Sequence, residues 1–199
     1  MLTHALQEWA GVCEALGDGR LLLTARKGGI HERGGGMFTP EHQRFALLPS
    51  FLHQAPERLH PVFAADLPRL VPPSAGMLRI SLWAEVAQVW KAQELLGLQA
   101  LGPELPWTPD ELATRFNYRG QPFLYVLALR IHRLPQPVEI VDDPAYAGCR
   151  SWIPLKAVIP TAGSIPVVHT GEFGIRLARI GRTIGSPRAV VPSYDPVSP

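Results

Sequence analysis

Cysteine is nearly absent from this chain. Its 199 residues hold only Cys13 and Cys149, which excludes a disulfide framework and any cysteine-rich zinc module. A net charge of +2 removes a whole-molecule electrostatic attraction to polyanions, so contact with nucleic acid needs a local basic patch. No apolar run approaches the length of a membrane span, and the opening residues do not form a secretion signal. These absences predict a soluble, cytoplasmic protein with no membrane partner. No phosphate-binding loop, dinucleotide fingerprint or nucleophile elbow occurs, and the histidines lack the spacing of a metal site. No metal or cofactor is therefore expected.

Glycine and proline, by contrast, are plentiful, at 18 and 21 residues. They predict many turns, short strands and irregular connections. With 46% hydrophobic and 18% charged residues, the chain belongs with compact globular domains.

Leu6, Trp9, Ala10, Cys13 and Leu16 recur at helical spacing and predict a helix over 3–16, stopped at Gly17-Asp18-Gly19. Strands are expected over 21–26 and 45–51, separated by a flexible glycine-rich connection over 28–36 and followed by an irregular excursion over 55–76. A β-rich stretch covers 77–90, and 92–101 reads as a short helix. Thr108-Pro109-Asp110-Glu111 is a helix start, with Thr as cap, Pro in the first turn and Glu returning to the cap amide. The clearest strand is 122–133, apolar on both faces and hence mid-sheet, and Pro135 and Pro137 should end it before a further short strand over 138–141. A last helix is expected over 172–184. Strand and helix do not alternate regularly, so the expected fold is α+β. We expect a mostly antiparallel curled sheet or small β-barrel with flanking short helices, forming one domain over 1–185 with a loose proline-rich tail over 186–199.

The run from Leu21 to Glu32 is the most suggestive stretch. An apolar strand leads into Arg26, Lys27, Gly28 and Gly29, placing cations and close-approach backbone amides at a sheet rim, where a phosphate could dock. The plainer alternative is an ordinary Gly-Gly turn flanked by solvated cations. His53 and Gln54, past the second strand, are expected near this rim if the first two strands pair, and would read a base edge; the alternative is loop capping. Arg150 and Trp152 lie in a third polar-aromatic segment, 146–152, where Trp152 could stack on a base or instead plug the sheet interior while Arg150 pairs with Asp142 or Asp143. These three patches are expected to meet at one cleft. Should the site be catalytic, Lys27 is the candidate base or nucleophile and Glu32 the proton shuttle.

Laid end to end, several blocks resemble a bacterial family known as domain of unknown function 1802. They are Ala5 to Ala10, Arg26 to Ile30 with Glu32, Phe45 and Pro49 with His53-Gln54, Trp83-Ala84-Glu85, Leu124 to Leu127, Arg130 with Leu134 to Pro137, and Gly148 to Trp152. Ser50 stands where the pattern suggests Thr. Some relatives occur with a restriction-endonuclease-type domain, which implies a DNA-processing or defence setting and a partner of that type. The arrangement of a helix, a glycine and a strand ending in a basic residue, followed by a curled sheet, also resembles the PUA-like barrels of the ASCH and EVE groups, which implies RNA or a modified base as ligand; the leading expectation is a module that binds nucleic acid, RNA or DNA, or a nucleotide. Two other readings stay open: a small amidohydrolase-like enzyme acting on a modified nucleoside, and a non-catalytic protein-interaction module.

Overall fold

In a computed structural model, the protein is described over residues 1–28, 30–33, 37–40, 42–146 and 152–190. Strands β1 (Leu2–Trp9), β2 (Leu23–Arg26), β5 (Arg44–Ser50), β6 (Met77–Ala92), β7 (Leu124–Val141) and β8 (Trp152–Ile159) form one sheet in the order β2-β7-β6-β5-β1-β8. Two short strands extend it, β9 (Ile165–Pro166) on β7 and β10 (Ala189–Val190) on β6, while β3 (Ile30–Arg33) and β4 (Met37–Pro40) form a separate hairpin. Helices α1 (Ala10–Gly17), α2 (Pro61–Ala64), α3 (Leu95–Ala100), α4 (Pro109–Phe116) and α5 (Thr170–Ile184) flank the sheet. The fold is thus α+β, with a curled sheet that is antiparallel throughout except for the parallel β1–β5 pair. Among the described residues β2 and β8, the two ends of the strand path, are not hydrogen-bonded to each other, so the curl stays open along one seam.

Several expectations about secondary structure are corrected. The connection over 28–36 carries β3, which pairs with β4, and Ala189–Val190 of the expected loose tail pair with β6. The segment 3–16 is not one helix: residues 2–9 are a strand, and only residues 10–17 coil. Leu6 and Trp9 satisfy the helical period by coincidence. β1 is held between β5 and β8, with Leu6 in the main core and Leu2 and Ala5 in a second apolar cluster. Two-sided packing of this kind erases the alternation by which a strand is recognised. Nor do Pro135 and Pro137 end their strand. Ile80 pairs with Val138 and Leu82 with Arg133, so residues 134–137 bulge opposite Ser81 alone. A bulge demands no ladder donor, and the missing proline N–H groups cost nothing there.

The Thr108 start is present, its hydroxyl accepting from the Glu111 amide at 3.3 Å. The Glu111 carboxylate takes a different partner, Arg115, at 2.7 Å. The main core fills the hollow of the curl and the space under the helices, where Phe45, Leu47, Val86, Trp90 and Leu127 are fully buried. Each contributes about 1.5–3 kcal/mol of transfer free energy. The second cluster, around Ile80, Trp83, Leu134 and Tyr146, seals the other side of the sheet.

Candidate functional site

The open seam brings together side chains from the sheet's two ends. On β1, His4, Leu6 and Glu8 share the face turned toward the hollow, because side chains alternate along a strand. On β2, Thr24 and Arg26 do the same. The Thr24 hydroxyl donates to Glu8 Oε2 at 3.2 Å, and the backbone amide of Trp9 donates to Glu8 Oε1 at 3.1 Å. Arg26 Nη1 lies 3.7 Å from Glu8 Oε2, which is an ion pair but not a hydrogen bond. The Arg26 guanidinium carbon stands 5.9 Å from the Trp152 ring centroid. Trp152 meets Phe45 edge-on at 4.8 Å and His42 at 5.2 Å, and His42 stacks on His4 at 3.9 Å.

The electrostatics of this cluster are unusual. The Arg26 side chain is only 9% exposed and that of Glu8 only 11%. Arg26 Nε and Nη1 are buried without a hydrogen-bond acceptor among the described residues. Burial pulls the Arg26 pKa down, the Glu8 carboxylate pushes it back up, and Arg115 lowers it further. A buried guanidinium with idle N–H groups carries the desolvation penalty without its usual compensation. Such a group keeps donor capacity that no described residue uses.

The remaining predicted residues have other tasks. Lys27, next to Arg26 on the opposite face, donates to the carbonyls of Phe116 and Phe123 at 2.7 Å each and also to that of Gln121. An ammonium has three N–H donors, so Lys27 is fully committed to pinning segment 116–123, and its Nζ also lies 4.3 Å from the Phe123 ring centroid. Burial lowers its pKa, yet the three carbonyls hold its protons. Its hydrogen-bond acceptors all lie in segment 116–123. Gln54 caps α1, its Oε1 accepting from the Gly11 amide at 2.9 Å. A Cβ at Gly11 would come 2.5 Å from Leu67 Cδ2, so the Leu67 side chain would have to turn aside. His53 is exposed in a turn with φ of 59°. The reason these two miss the seam is pairing: β2 binds β7, and β5 binds β1 and β6, so the first two expected strands are not neighbours. Gly28 is exposed beyond β2. Gly29 and Arg150 lie outside the described residues, as does the side chain of Glu32. Asp143, offered above as a partner for Arg150, binds Lys156 Nζ at 2.5 Å.

Of the three expected patches, Arg26 and Trp152 meet, while Lys27, His53 and Gln54 point elsewhere. Glu8, Thr24 and His42 complete the cluster without having been assigned a role from sequence. An acid two residues after Leu6 was the available signal, and it was hidden because the segment reads as a helix, in which positions 6 and 8 do not share a face. Among the described residues no group of three His, Cys, Asp or Glu side chains could hold a metal ion, and no helix is long and apolar enough to cross a membrane.

Comparison with known proteins adds a family and a distant structural likeness. The crystal structure of ASCH from Zymomonas mobilis superposes with a TM-score of 0.42 at 12% identity, covering 88% of this chain and 93% of that one. No curated protein matches the sequence. The family model described as Domain of unknown function (DUF1802) matches residues 5–179, from the strand that carries Glu8 to the last helix, and the chain belongs to that family.

Proposed function

We propose that the domain binds nucleic acid or a nucleotide at the seam between β2 and β8. The observation that carries this reading is the Arg26 guanidinium, buried beside Trp152 with two N–H-bearing atoms that lack an acceptor among the described residues. A phosphate oxygen or the carbonyl edge of a base supplies what Arg26 lacks, since a guanidinium favours such acceptors in bidentate geometry. Glu8 offers the complementary acceptor for a base N–H, and the Trp152–His42 aromatic wall gives a planar ring an apolar face to lie against. The hydrolase alternative is less well supported, because Lys27 has every proton engaged by a backbone carbonyl.

Filter binding at low salt with RNA, single-stranded DNA and modified duplex DNA tests the proposal. Binding of at least one is expected, weakening as salt rises because phosphate contacts release counterions. Arg26→Gln should reduce that binding about tenfold or more, the loss of a hydrogen bond to a charged group. A folded wild-type protein with no measurable affinity for all three would overturn it.

A further inference from the structure

Along one face of α1, from Ala10 to Gly17, lies a second hollow, which shares no lining residue with the Arg26 cluster. Its volume is about 350 Å³, within the range of small-molecule sites. α1 forms one wall with Ala10, Cys13 and Gly17, and the floor is Leu47 of β5 and Leu82 of β6. The proline-rich segment 69–73 closes the remaining side. It belongs to no strand, and Val71 on this lip is 82% exposed.

The polar lining is basic. Arg69, Arg79 and Arg133 face Glu14 across the hollow, with Ser81 between. Arg133 is fixed, its Nη2 donating to the Gly17 carbonyl at 2.6 Å at the end of α1. A Cβ at Gly17 would lie 3.4 Å from Arg133 Nη2, an ordinary contact, and 2.9 Å from Leu82 Cδ1, which would have to shift. Arg79 spends Nε and Nη2 on Glu139 Oε1 and keeps Nη1. Arg69 is only loosely held, 3.9 Å from Asp66. Arg69 and Arg79 already stand beside Asp66 and Glu139, and Glu14 also lines the hollow, so Arg133, which has no carboxylate partner among the described residues, is the cation that an anion resting above the apolar floor would meet. The Cys13 thiol donates to the Glu8 carbonyl at 3.9 Å, and burial, with Glu8 and Glu14, holds it protonated.

We infer that this hollow is a binding site for a small amphipathic anion, an apolar body about the size of one or two rings carrying a terminal carboxylate or phosphate. It is separate from the seam at Arg26 and does not depend on what binds there. The apolar body would rest on Leu47 and Leu82, and the anionic end would bridge Arg133 and Arg79, with Ser81 donating its hydroxyl. Room for about a dozen water volumes sets the size limit.

Titration of the full chain with 1-naphthoate, 1-naphthyl phosphate, neutral 1-naphthamide and inorganic phosphate, followed by calorimetry and amide chemical shifts, tests this. One or both naphthyl anions should bind, shifting amides of Cys13, Gly17 and Ser81, and the preferred anion identifies the terminal group. The amide should bind about tenfold more weakly, and inorganic phosphate alone should bind weakly or not at all. Arg133→Gln should weaken the anions about tenfold, the equivalent of one charge-assisted hydrogen bond, and leave the amide unchanged. Arg69→Gln, at a surface position, gives the same direction without risk to folding. Equal affinity for anion and amide, or no binding of either anion at millimolar concentration, would overturn the inference.

Discussion

Lys27→Met replaces an ammonium by a thioether of similar length and tests whether Lys27 serves the fold or a ligand. Two of its three acceptors, the carbonyls of Phe116 and Phe123, are partly buried; the contact with Gln121 is exposed. Water replaces the Gln121 contact at little cost. The other two carbonyls lose charge-assisted donors, worth about 1–3 kcal/mol each when left unmet. The cation over Phe123, at 4.3 Å, adds about 0.5–1 kcal/mol. Relief of the lysine's own desolvation offsets part of this. A net loss of about 3 kcal/mol is expected, or about 6–12 °C in Tm for a domain of this size. Urea unfolding followed by the fluorescence of the five tryptophans should show a lower midpoint with an unchanged slope. Nucleic-acid affinity of the folded variant should stay within about threefold of wild type, below the effect of one hydrogen bond. Stability within about 0.5 kcal/mol of wild type, together with a large loss of binding, would show that Lys27 is a ligand contact and that the carbonyl cradle is not what holds segment 116–123.

Three further outcomes follow from the same geometry. Glu8→Gln removes the only carboxylate paired with the buried Arg26 among the described residues, so stability should fall by about 3 kcal/mol; added phosphate should recover part of the loss by binding the freed guanidinium, read as a rise in Tm. Cys13 has its folded pKa raised, first by burial and then by Glu8 and Glu14. Its contribution is therefore complete below the unfolded thiol value of about 8.5 and is lost as pH rises above it, where the unfolded chain binds fewer protons; Cys13→Ala should flatten the fall of stability between pH 8 and 10, measured by urea midpoints. Thr108→Ala deletes the cap on α4 and should cost about 1 kcal/mol with no change in nucleic-acid binding.

The elements that could be read from the sequence are those whose signal is local. The α4 start rests on Thr108 and Pro109, neighbours in sequence. The first part of β7 rests on an unbroken run of β-formers, and α5 on the spacing of Phe173, Leu177 and Ile180, all buried in the structure. What could not be read depends on partners far along the chain. β1 looks helical until β5 and β8 flank it, and the harmlessness of Pro135 and Pro137 appears only once Ser81 stands opposite the bulge. The same distinction governs the site. Arg26 and Lys27 are adjacent and both cationic, and nothing in their side chains says which one binds. Strand alternation turns one toward Glu8 and the other toward Phe116, and the second then has all three donors satisfied while the first has two atoms with none. The proposed role of Arg26 therefore rests on subtraction: of two equal charges, the fold consumes one, and the one that the described residues leave unsatisfied is the one proposed to meet a ligand.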